Sequence, residues 1–243
     1  TTSTPNALQT GVIGTNAAQD DGFWSNIPIG FTYNFFGQNA TTVHIGSNGT
    51  VVIGVPGAVG SSSYIFTGGF PNTNNPASTI AVCARDLHLS IGSLRYWTEG
   101  IAPTRRFIVQ YDGVRNYSGG GTQTAELVLF EQSGVIEIRV LTATNGTGTG
   151  NSANKYIGLQ DPTKTIGATA PNCITGNVTS SANYWNGITQ EITSARAWRF
   201  SPPATYDIAW YAGSGSNLTS LSTILASQGG STASNYYYQT LSS

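Results

Sequence analysis

The chain has 243 residues, and only 9% of them are Asp, Glu, Lys or Arg, against about 25% in an ordinary soluble domain. With a formal net charge of −1 it lacks the basic patch that a nucleic-acid or anionic-membrane partner requires. No apolar run approaches the roughly 18 residues of a membrane span, and Ser, Thr, Asn and Gly must hydrate the surface in place of charge.

Met is absent, even at position 1, so the sequence is expected to begin after processing or to be a piece of something longer. No signal-peptide pattern is visible, and the low charge with abundant Thr and Asn reads as a mature extracellular protein. Cys83 and Cys173 are the whole thiol inventory. Two readings stand open: a disulfide joining distant segments, or a buried free thiol at Cys83 within Ile80–Ala84. Without a CxxC spacing they make a poor zinc site.

In chain order, residues 1–22 read as an arm or edge strand, with Leu8–Gly14 as its extended part. Ile29, Phe31, Tyr33 and Phe35 then alternate with smaller or polar residues, which places four large apolar groups on one face of a strand. Thr41–Ser47 and Thr50–Val55 continue the alternation around Ser47-Asn48-Gly49. A two-residue turn at Asn48-Gly49 mixes apolar and polar side chains on both faces. A three-residue loop pairs Ile45 with Val51 and Val43 with Ile53, and gathers the apolar residues on one side. Gly49 is then the left-handed residue that such a loop needs.

Residues 56–76 form a long loop carrying Tyr64, Phe66 and Phe70, a length often associated with function. Thr79–Ala84 is apolar throughout, the mark of a strand buried on both faces. Leu94–Thr98 and Arg106–Tyr111 read as a hairpin. Glu126–Glu131 and Val135–Leu141 form another, with a two-residue loop at Ser133-Gly134. That pairing puts Leu127, Leu129, Ile136, Ile138 and Val140 on one face, and turns Glu137 and Arg139 to solvent.

Lys155–Gln160 and Ala195–Phe200 complete the strands. About ten strands separated by turn signals give an all-β fold, a β-sandwich or jelly roll, over residues 23–200. Residues 201–204 are a stiff Pro linker, and 205–243 is too short to hold a core alone.

The motifs Ile27-Pro-Ile-Gly-Phe-Thr-Tyr-Asn-Phe-Phe-Gly37, Ser47-Asn-Gly49, Arg106-Phe-Ile-Val-Gln-Tyr111, Leu127–Arg139, Ile157-Gly-Leu159 and Trp198-Arg-Phe-Ser-Pro202 resemble, in this order, large secreted surface proteins of Bacteroidota-type bacteria. Those adhesins are built of tandem β modules, often exported by the type IX route, and the pattern is loosely similar to nidogen-type domains. The resemblance spans about residues 20–202. Tyr206–Tyr211 through Tyr236–Tyr238 is similar to the later half of an immunoglobulin-like repeat. The family usually carries an acidic pair after the strand matching Ile80–Ala84; here Asp86 is followed by Leu87 and His88, so one acid is missing.

Chemistry is sparse. G-x-S-x-G, P-loop and HExxH motifs are absent, and two histidines with 11 acids leave little material for hydrolysis, so no enzyme is expected. Asp86 and His88 share a face of an extended segment, either as a metal or acid/base pair or as turn and surface residues. Asp20, Asp21 and Asp86 are the candidate metal ligands, with Asp112 and Asp161 as further loop carboxylates; calcium is the one cofactor they admit. Trp24, Trp97 and Trp185 are candidates for stacking on a sugar or partner, set against a simpler role in the core. Asn145 is one of six Asn-x-Ser/Thr matches.

The resulting expectation is a non-catalytic extracellular adhesin or fibre domain at the cell surface, presenting loops to a glycan and stacking with neighbouring copies or modules. A carbohydrate- or calcium-dependent binding module of a secreted enzyme, and a phage or viral surface protein, are the alternatives.

Overall fold

The computed structural model describes residues 20–54, 69–172 and 184–202, together with the backbone of residues 6–7, 211–212, 219–220 and 237–240. The strands in chain order are β1 (Asn6–Ala7), β2 (Phe23–Phe35), β3 (Gln38–Gly46), β4 (Thr50–Ile53), β5 (Thr79–Ala84) and β6 (Leu87–His88). Then come β7 (Ser93–Glu99), β8 (Arg106–Asn116), β9 (Thr122–Phe130), β10 (Ile136–Ala143), β11 (Lys155–Gln160) and β12 (Gly167–Thr169). The last are β13 (Asn186–Ile188), β14 (Arg196–Ser201), β15 (Tyr211–Ala212), β16 (Thr219–Ser220) and β17 (Tyr237–Thr240).

Fifteen of them form two antiparallel sheets with one core between them, and β15 and β16 pair as a separate two-stranded sheet. Sheet I has the order β1-β7-β8-β9-β10-β14-β17, with β6 beside β8; sheet II has the order β12-β11-β5-β4-β3-β2, with β13 beside β11. Alternation along each strand supplies the core: Ile29, Phe31, Tyr33 and Phe35 from β2 face Phe107, Val109 and Tyr111 from β8, Leu127 and Leu129 from β9, and Ile136 and Ile138 from β10. The all-β sandwich expected from the sequence is therefore the observed fold.

The register at Ser47–Gly49 is the one the apolar pattern selects, with Val43 opposite Ile53 and Ile45 opposite Val51. Gly49 has φ +84°, and a Cβ there would lie 2.8 Å from the Ala84 Cα.

The second hairpin differs. Leu129 pairs with Ile136 and Leu127 with Ile138, and the Phe130 amide donates to the Val135 carbonyl, so the loop is four residues, Glu131–Gly134, and not two. A shift of two residues leaves every side chain on its expected face. The longer loop lets Glu131 reach back: its amide donates to the Arg105 carbonyl and its carboxylate pairs with the Arg105 guanidinium. Glu137 is also not open to solvent. It is only 5% exposed, covered by Arg139 and Arg199, whose guanidinium nitrogens lie 2.6 and 3.5 Å from its oxygens.

β5 is buried on both faces but is not regular. Val82 and Cys83 oppose a single residue of β11, since Tyr156 pairs with Ala84 and Gly158 with Ala81. Cys83 adopts φ +54°, a left-handed conformation that a bulge imposes on a non-glycine residue. The bulge turns two consecutive side chains inward and reverses the alternation beyond it, so that Arg85 enters the interior and Asp86 faces out.

Cys83 is a free, fully buried thiol, which burial pushes above its ordinary pKa. Cys173, its partner in the disulfide reading, lies outside the described residues. So do residues 8–14 and most of the 56–76 loop. The tail's β17 pairs with β14, Trp198 opposite Thr240 and Phe200 opposite Tyr238, and so extends sheet I.

Gly49→Ala is expected to lower the unfolding free energy by at least about 2 kcal/mol, because unfavourable φ and a backbone clash add. Gly113→Ala, at φ +60° with nothing within 4 Å of the added Cβ, is expected to cost about 1 kcal/mol. Denaturant titration with equal slopes for both variants checks the difference.

Candidate functional site

The chain leaves sheet II at the end of β5 and enters sheet I at β6, and the Ser47–Gly49 loop sits under that crossing. Asn48 is completely buried. Its carbonyl accepts from the Arg85 amide, its Oδ1 accepts from the Leu87 amide at 2.7 Å, and its Nδ2 donates to Asp21 Oδ1 at 2.8 Å. The Gly49 carbonyl accepts from the Val82 amide. Ser47 Oγ takes the Gly22 amide at 3.0 Å and donates to the Asp20 carbonyl. These bonds pull residues 20–22 against residues 85–87.

Three carboxylates meet as a result. One ligand oxygen from each of Asp20, Asp21 and Asp86 lies within 4.8 Å of the others, so residues 65 positions apart in sequence, read there as candidate metal ligands, share one place in the fold. Asp86 also accepts a long 3.5 Å bond from Ser152 Oγ. Asp20 Oδ1 is buried without a hydrogen-bond partner. Burial, then the charges of Asp21 and Asp20, raises the Asp86 pKa to about 6; burial and the Asp21 charge also raise Asp20, against a smaller opposing effect of His88. An all-oxygen donor set of high negative charge suits a hard cation such as Ca²⁺.

The remaining candidates separate. His88 Nδ1 accepts from the Ser90 amide at 3.1 Å, a turn contact. Asp161 caps a turn: burial alone would raise it, but the Thr163 hydroxyl and the amides of Ile166, Thr163 and Thr165 hold it below the usual carboxylate range. Asp112 lies on β8 opposite Ser93. Trp24 and Trp185 are in the core, Trp185 edge-on to Trp198 with centroids 6.0 Å apart, so neither presents a ring face to a ligand. Trp97 is half-buried on the outer side of sheet I, its Nε1 donating to Glu99 at 3.2 Å.

That outer side carries a ladder of ion pairs: Arg106–Glu99, Arg139–Glu126, Arg139–Glu137 and Arg199–Glu137. A groove of about 460 Å³ at the β2–β3 hairpin is lined by Phe35, Gln38, Asn39, Thr41, Thr42 and Ser78 among others. Sequence reading did not find the groove, because its amides and hydroxyls resemble those of any other loop in this composition. Nor did it find Asn48 as the residue that carries Asp21, since an Asn before Gly reads first as a turn former.

No helix among the described residues is long and apolar enough to cross a membrane. The fold is that of a β-sandwich module, and the NIDO-related type that it matches is an extracellular-type, generally non-enzymatic domain. A family model described as NIDO related matches residues 1–202, so the chain belongs to that family, in agreement with its nidogen-like pattern. No curated protein and no solved structure matches the chain.

Because Asp86 and Asp20 are raised in the folded state, these two carboxylates bind more protons in the native protein than in the unfolded chain between about pH 3.8 and 6. Their contribution to stability therefore falls as pH rises through that window and levels above it. Asp86→Asn is expected to flatten this slope and to stabilise the protein at pH 7 by about 1–2 kcal/mol, after discounting for solvent screening. Denaturant midpoints measured from pH 4 to 8 check it.

Proposed function

We propose that the chain is a non-catalytic adhesin or surface-fibre module of a secreted, Bacteroidota-type cell-surface protein, exported by the type IX route. Its loops present amides and hydroxyls for attachment to a surface or glycan, and it assembles with neighbouring modules. The observation that carries the reading is the NIDO-related match over residues 1–202 on a sandwich whose long sheet ends in strands from the two ends of the chain. β1 pairs with β7 and β17 with β14. Terminal strands on sheet edges can be exchanged with a neighbour at little cost, which makes strand addition the natural mode of assembly.

The test is sedimentation of the full chain over a concentration series. Concentration-dependent multimers that vanish when residues 237–243 are removed support the reading, and a strict monomer at every concentration contradicts it.

A second reading, a calcium-dependent binding module, is favoured by the meeting of Asp20, Asp21 and Asp86. A cation there would offset the mutual repulsion of the three carboxylates, and would brace residues 20–22 against the β5–β6 crossing. At pH 7, Ca²⁺ at 100 times its dissociation constant is expected to raise stability by about 2.7 kcal/mol, with EDTA reversing the gain and Asp86→Asn abolishing it. Thermal melts unaffected by Ca²⁺ and EDTA would rule it out. A glycan array read with and without EDTA then separates calcium-dependent sugar binding from a purely structural cation.

A further inference from the structure

The inward turn of Arg85 creates a second cluster, on the opposite side of the β5 bulge from the carboxylates. Arg85 and Lys155 are both completely buried, and among the described residues no carboxylate lies within ion-pair distance of either. Arg85 is held by neutral oxygens: Gln123 Oε1 at 2.9 Å, the Thr144 carbonyl at 3.1 Å and the Thr122 carbonyl at 3.3 Å. Lys155 Nζ donates to the Ala153 carbonyl at 3.0 Å, the Thr189 carbonyl at 3.3 Å and Asn145 Oδ1 at 2.6 Å. The same Asn145 Oδ1 receives Arg85 Nη1 at 3.4 Å. Two buried cations without a counter-ion thus converge on one carboxamide.

Glu191 completes the arrangement. Glu99, Glu126, Glu131 and Glu137 all pair with arginines, whereas Glu191 does not. Its Oε1 accepts the Asn145 backbone amide at 2.6 Å, and the adjoining Ile192 is bridged to Ala143 at the end of β10. The carboxylate is therefore fixed beside Asn145, while the Asn145 Nδ2 is held by the Thr189 carbonyl.

We propose that Lys155 and Asn145 become joined by an isopeptide bond in the folded protein. Lys155 Nζ, as the neutral amine, attacks Asn145 Cγ; the new Nζ–Cγ bond forms and the Cγ–Nδ2 bond breaks. The proton lost by the amine ends on Nδ2, which leaves as ammonia, while Glu191, bonded to the Asn145 backbone amide, holds the carboxamide in place. No oxidant or further reactant is needed. Lys155 Nζ, 2.6 Å from Asn145 Oδ1, already touches the carboxamide whose carbon it must attack, so the reaction is intramolecular and needs no encounter.

Each neighbour has a part in this chemistry. Arg85 faces the oxygen on which negative charge develops. Burial, reinforced by the Arg85 charge and opposed by Cys83 and Glu191, lowers the Lys155 pKa to about 8, so that the amine is available near neutrality. The bond would staple the end of β10 in sheet I to the start of β11 in sheet II.

The test is the intact mass of the full chain, followed by tryptic peptide mapping. The expected result is a chain lighter than its sequence by one ammonia, no cleavage after Lys155, and the deficit located in the peptide spanning residues 140–164. Lys155→Arg is expected to restore the full mass.

Three results would overturn the proposal. One is a wild-type chain at full mass. Another is a chain heavier by the amide-to-acid change, showing simple deamidation at Asn145-Gly146. The third is a chain lighter by ammonia but still cleaved after Lys155, showing a succinimide at the same pair.

Discussion

Asn48 ties three separated segments together with one buried side chain and its own carbonyl. It accepts the Arg85 and Leu87 amides and donates to Asp21. The Arg85 and Leu87 amides are placed where water cannot serve them, so removing the Asn48 amide would leave the Leu87 amide unsatisfied at a cost of about 1–3 kcal/mol. The loop that carries Asn48 closes beneath the crossing from one sheet to the other. Gly49 is needed there twice: for its left-handed φ and because Ala84 leaves no room for a Cβ. The fold and the carboxylate cluster therefore depend on the same three residues.

The β5 bulge is the second constraint. At Cys83 the chain spends one unfavourable φ and thereby reverses the alternation of the strand. Arg85 goes inward to bond β9 and the end of β10, and Asp86 goes outward to meet Asp20 and Asp21. One backbone irregularity thus separates a buried cationic cluster from an acidic one. With so few charged residues in the chain, this division matters more than it would elsewhere, and it stands apart from the ion pairs on the outer side of sheet I.

Much of this was legible in the sequence. Alternation fixed the faces of β2, β3, β4, β9 and β10, because a period of two survives any shift of two residues. For the same reason it could not fix the loop length at Glu131–Gly134, where faces are identical for two- and four-residue loops and tertiary contacts of Glu131 with Arg105 decide. The bulge at Cys83 was invisible, since in an all-apolar run both faces look alike. Asp20, Asp21 and Asp86 could be chosen as ligands by type, but their meeting rests on Asn48, whose side chain has no signature beyond that of a turn former. Arg85 and Lys155 carried no signal, because the sequence does not say which cations will be buried.

The Asn48 crossing is a permanent part of the folded core and not a surface turn. Native-state hydrogen exchange of the Val82, Arg85 and Leu87 amides tests it most directly. All three are expected to exchange only through global unfolding, with protection equal to the full stability, and Asn48→Ala is expected to release Leu87 selectively. Exchange of these amides through a local opening well below the global free energy in the unmodified protein would contradict it.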